Sequence, residues 1–88
     1  MNYGDFQNTC EAVYVRIGEA EDRYGPFAST HEALGVAMEE FDELKAAIYK
    51  NDLFGPDGVQ NECLDLAAVL IRLAESLDNP KLRDRSVK

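Results

Sequence analysis

Two short acidic runs are the residues of this 88-residue chain best suited to chemistry. Glu39-Glu40-Phe-Asp-Glu43 and Glu62-Cys-Leu-Asp65 each place carboxylates three positions apart. On a helix such residues are neighbours on one face. The Glu40/Glu43 stripe also holds Ala33, Val36 and Ala47, and the Glu62/Asp65 stripe runs on into Val69 and Leu73. Each acidic pair therefore interrupts a face otherwise suited to burial, whereas Glu39 and Asp42 fall off that face and read as outer members. If the two helices pack antiparallel, four carboxylates meet at their interface. Two unit charges 5 Å apart repel by roughly 3 kcal/mol at an effective dielectric of ~20. The cluster must protonate, pair with cations or hold a metal. Lys45 and Arg72 do not sit on these stripes in a way that neutralises four acids. A hard divalent cation with oxygen ligands is the economical solution, Mg2+ with Mn2+ as a substitute. Magnesium seldom occupies an all-protein cage and shares its shell with water and phosphate, so the site implies a phosphorylated ligand.

Other chemistries lack their residues. An EF-hand leading from Asp52 would need its bidentate Glu where Cys63 stands. The single histidine, His31, belongs to no Glu-x-x-His pair and reads as a first-turn helix residue. There is no Cys/His cluster for zinc and no Gly-rich loop ending in Gly-Lys for phosphate, and the Gly55-Pro-Asp-Gly58 stretch is turn chemistry.

The elements that must position the acids are three helices. The first is expected over about residues 5–24, with Asp5 as N-cap and Gly25-Pro26 as stop. Its apolar stripe is Phe6, Cys10, Val13, Ile17, Ala20 and Tyr24, opposite a solvated face. The second is expected over 30–51, opened by a capping box of Ser29 and Glu32 and carrying an apolar face of Leu34, Ala37, Met38, Phe41, Leu44 and Ile48. The third is expected over 57–78, with Asp57 as N-cap and Asn79-Pro80 as stop. Between them, Leu53 and Phe54 are expected to pack onto the helix ends. Val59, Cys63, Leu64, Leu66, Ala67, Val69, Leu70, Ile71, Leu73, Ala74 and Leu77 cover more than half the circumference of the third helix. That helix needs cover from more than one side. The basic tail, 79–88, is expected to fray. With no strand-like alternation, the fold class is all-α and the chain is one domain, 1–88.

A chain this short buries only about 60% of the surface its unfolded form exposes, so the apolar third helix points to burial against partner protomers in a helical bundle. The net charge of −8 repels phosphate backbones and argues against nucleic acid. No apolar run reaches membrane-spanning length, and the start Met-Asn-Tyr-Gly-Asp-Phe has neither the charge nor the apolar stretch of a signal peptide. Cys10 and Cys63 read as small buried thiols of a reducing compartment, and the expected location is cytoplasmic.

Glu39-Glu40-x-x-Glu43, eighteen residues, then Glu62-x-x-Asp65 resembles the signature of the MazG-like all-α nucleoside triphosphate pyrophosphohydrolases. The preceding Arg23-Tyr-Gly-Pro-Phe-Ala-Ser-Thr-His-Glu-Ala-Leu segment is similar to the way short MazG-like proteins open their acidic helix, so the likeness covers about residues 20–78. It implies a magnesium-dependent enzyme that cleaves a nucleotide between its α- and β-phosphates, giving a monophosphate and pyrophosphate. It also implies Glu40, Glu43, Glu62 and Asp65 as metal ligands, the four acids that the stripes select. Glu39 takes the remaining motif position, ordering the site or orienting water, and a homodimer or homotetramer is implied. Many members carry a lysine shortly before the second motif, where this chain reads Asp57-Gly-Val-Gln-Asn61. Phosphate-holding basic residues of fuller members have counterparts here only in Lys81, Arg83, Arg85 and Lys88. Two competing readings are a catalytically weak metal- or nucleotide-binding regulatory module, and an acidic helical module that receives a basic partner.

Overall fold

The first helix starts where Asn2 can cap it. In the computed structural model, which describes residues 1–78, α1 spans Tyr3–Tyr24. Asn2 Oδ1 accepts from the Asp5 N–H at 2.8 Å. Asp5 is therefore a first-turn acid beside the helix's positive end, not the expected N-cap. Gly25 ends α1 at φ 71°, a conformation that favours glycine, and its N–H donates to the Glu21 carbonyl at 2.9 Å.

The second helix, α2, spans Thr30–Lys50. Ser29 Oγ accepts from the Glu32 N–H at 3.1 Å, as the capping box predicts. Glu32 Oε1 reaches back one residue further than expected, to the Ala28 N–H at 3.0 Å. Asn51 closes α2 in the left-handed region at φ 58°, which asparagine tolerates.

The third helix, α3, spans Val59–Ser76, and Gly58 is its N-cap in place of the expected Asp57. The reason is crowding. A Cβ at Gly58 would lie 2.8 Å from the Gly55 nitrogen and 2.9 Å from the Asp52 carbonyl oxygen. No side-chain cap is needed for the first α3 donors. The Val59 N–H donates to the Asp52 carbonyl at 2.8 Å and the Gln60 N–H to the Leu53 carbonyl at 3.0 Å. The expected stop at Asn79-Pro80 and the basic tail, 79–88, lie outside the described residues.

Among the described residues every regular element is a helix, so the fold is all-α. The central element is α3, packed against both α1 and α2, while α1 and α2 make little direct contact. The core is Phe27, Ala33 and Val69, with Val36, Ala37 and Leu73 against it. Pairing the start of α2 with the end of α3 makes these helices antiparallel, the arrangement that lets the acidic pairs meet.

Burial corrects several expectations. On α1, Val13 is buried but residues 1–10 are all exposed, Phe6 and Cys10 included, and so is Tyr24. The α2 surface that meets α3 carries small residues, with Ala33 and Ala47 buried. Leu34, Met38, Phe41 and Ile48, expected to form the packing face, are each more than half exposed. Leu53 and Phe54 stay exposed because the loop's inward contacts are backbone hydrogen bonds. Both cysteines are free and exposed, not buried: Cys10 lies on the projecting end of α1 and Cys63 on an α3 flank that neither helix covers. Both α1 and α2 pack on α3, yet Leu70, Ile71 and Leu77 remain exposed. Among the described residues no helix is long and apolar enough to cross a membrane.

Candidate metal centre

The antiparallel packing of α2 and α3 brings Glu40, Glu62 and Asp65 together, with one carboxylate oxygen of each inside a 4.8 Å group. Glu62 is the most deeply placed, at 4% exposure, and is one of the two buried polar residues of α3. Glu40 and Glu62 each keep a buried oxygen, Oε2, with no hydrogen-bond partner among the described residues. A buried carboxylate oxygen left in this way costs several kcal/mol if charged, unless it protonates or meets a cation.

Protonation is the first response. The Glu40 carboxyl is pushed up to about 7, mainly by loss of water around it and then by the charges of Glu43, Asp65 and Glu62. The Glu62 carboxyl is likewise pushed up to about 7, again first by burial and then by Glu43 and Asp65. Glu43 acts on both by its charge. It is itself exposed and stands outside the close group of three. Of the four expected ligands, three thus converge and Glu43 borders them. Glu39 is exposed and lines the neighbouring cleft, and Asp42 is exposed away from it.

That cleft, about 700 Å³, lies over α3 between α1 and the first half of α2. Its acidic end contains Glu40 and Asp65, and its far end contains Phe27, Gly25 and Arg72. Along α3, the seven residue steps from Asp65 to Arg72 rise ~10 Å.

Arg16 and Arg72 both line the cleft, and sequence reasoning missed only the first. Arg16 of α1 carries no motif signal, because it lies beside an apolar packing stripe. Its Nε donates to Asp65 Oδ1 at 2.8 Å and its Nη2 to Asn61 Oδ1 at 2.8 Å. The available signal was its position between Val13 and Ala20, at helical spacing on the packing side. Arg72, whose position on α3 does not suit it to neutralise the acids, makes no contact with them. It is 6% exposed, stacks 4.2 Å over Phe27 and donates from Nη2 to the Gly25 carbonyl at 3.0 Å. Glu21 lies 3.6 Å away. Arg72 thereby fastens the turn between α1 and α2 to the central helix.

Comparison with protein-family models, curated proteins and solved structures yields no match to this chain.

Proposed function

We propose that this chain is a divalent-metal-dependent nucleotide pyrophosphohydrolase. The observation that carries the reading is the buried, unpartnered oxygens of Glu40 and Glu62 gathered with Asp65 beside a 700 Å³ cleft. The donor set is all hard carboxylate oxygen, which fits Mg2+ or Mn2+ and fits neither zinc nor a redox metal well. Glu40, Glu62 and Asp65 would hold the ion, with Glu43 at the border as a further ligand. When bound, such an ion neutralises phosphate oxygens and makes a coordinated water more acidic.

The chain's own residues supply the rest. Glu39 offers an exposed carboxylate on the cleft wall, able to accept a proton from an attacking water. The cleft volume lies in the range of small-molecule sites, ~300–1,000 Å³, and suits a nucleotide. The likeness of the two acidic motifs to the MazG-like signature supports cleavage between the α- and β-phosphates. An acidic module that receives a basic protein is less well supported, because a partner's lysines cannot reach a glutamate that is 4% exposed.

The exposed Leu34, Met38, Phe41 and Ile48 recur at helical spacing on α2, and Leu70 and Leu77 do so on α3. They support a homodimer or homotetramer in which partner copies cover these faces. The test of the activity is a panel of nucleoside triphosphates incubated with the protein and Mg2+ or Mn2+. A nucleoside monophosphate and pyrophosphate are expected in equal amounts. Release of orthophosphate with a diphosphate, or no turnover of any nucleotide, would overturn the reading.

A further inference from the structure

We infer that Arg16 is a phosphate-binding residue, and that it makes the site select ligands with at least two linked phosphates. The inference rests on the metal-centre reading and assigns α1 a part in it. The guanidinium has five N–H groups in a planar fork. Among the described residues, three of these are directed at Asp65 Oδ1, Asn61 Oδ1 and the Ala12 carbonyl, the last at 3.3 Å, which leaves two for a ligand. The side chain is 28% exposed and lines the cleft beside Glu40 and Asp65.

Its position is built from both sides. Asn61, which holds Nη2, has its own amide nitrogen fixed by the Gly55 carbonyl at 3.1 Å and the Pro56 carbonyl at 3.3 Å. The α2–α3 loop thus orients Asn61, Asn61 orients Arg16, and Asp65 balances its charge. A fixed guanidinium next to a carboxylate cluster is a suitable partner for phosphate oxygens, because its fork binds two oxygens at once where an ammonium binds as a point charge. Because Arg16 is bonded to Asp65 itself, a phosphate held at the acidic centre lies within reach of its fork, and a second linked phosphate adds oxygens that a lone phosphate does not offer.

The probes are inorganic pyrophosphate and orthophosphate, titrated calorimetrically into the full chain with Mg2+ present. Mg2+ alone is titrated in parallel. The parent should prefer pyrophosphate. Arg16→Gln and Arg16→Lys should each lower pyrophosphate affinity at least fivefold and reduce the preference over orthophosphate. Their Mg2+ affinity should be unchanged or tighter, since a nearby positive charge has been removed or loosened. Arg16→Lys keeps a cation opposite Asp65 and so separates a lost fork from a lost fold. A smaller loss in both variants, with the parent binding Mg2+ and pyrophosphate, would overturn the role of Arg16 alone. A parent that binds neither would overturn the metal reading beneath it.

Discussion

Half-buried Glu40 of α2 and buried Glu62 of α3 meet across an antiparallel helix pair, each carboxyl held up to about 7 and each with a buried oxygen that no described group satisfies. Their shared setting fixes the sign of the pH response. Both groups protonate more readily in the folded chain than in the unfolded one, so between about 4.5 and about 7 the folded state carries more protons. Stability then falls as pH rises through that window. The metal-free protein should melt several degrees lower at pH 8 than at pH 5.5. Added Mg2+ should bind more tightly as pH rises through 7 and should remove most of that loss. Thermal melts at the two pH values, with and without Mg2+, check this.

Substitution of the acids should separate two consequences. Glu40→Gln should abolish both the Mg2+-dependent stabilisation and hydrolysis, while its metal-free form should be at least as stable as the metal-free parent, because one repelling charge is gone. Asp65→Asn should abolish the same two properties but gain no stability, since it also gives up the 2.8 Å pair with Arg16. Asp42→Asn should leave both properties nearly intact. At a Mg2+ concentration tenfold above Kd the parent gains about 1.4 kcal/mol, a shift of several degrees for a domain of this size.

Much of this arrangement could be read from residue spacing, and the misses have physical causes. Helical period placed Ala33, Ala47 and Glu40 on one α2 face, and that face is the one that meets α3. The larger apolar residues of α2 misled, because hydrophobicity alone does not say whether a face packs within a chain or stays exposed on it. The caps at Asn2 and Gly58 were displaced from Asp5 and Asp57 by local options that composition does not rank. An earlier asparagine was free to cap α1, and the loop backbone was close enough to Gly58 to exclude a side chain. Arg16 could not be placed because its partners, Asn61 and Asp65, are 45 and 49 residues away.

Arg72 should prove a stability residue. Arg72→Ala removes the contact over Phe27 and the bond to the Gly25 carbonyl, and leaves a cavity under the α1–α2 turn. A loss of ~2–4 kcal/mol is expected, as for other buried, hydrogen-bonded charges. Urea unfolding, with the Mg2+ affinity of the surviving folded fraction measured beside it, checks that the loss is in the fold and not in the metal centre.

The exposed apolar faces should govern assembly. Phe41→Glu or Leu70→Glu should dissociate the proposed oligomer at micromolar concentration, whereas Glu75→Gln should not. Sedimentation velocity reports the result, and a parent that sediments as a stable monomer would contradict the proposed assembly.

The most direct measurement of the central claim is Mn2+ binding followed by loss of the free-ion electron paramagnetic resonance signal, in the parent, Glu62→Gln and Asp42→Asn. The account predicts saturable binding in the parent and in Asp42→Asn, displaced by Mg2+, and its loss in Glu62→Gln. Equal binding in all three, or none in the parent at neutral pH, would contradict the assignment of the α2–α3 carboxylates as a metal centre.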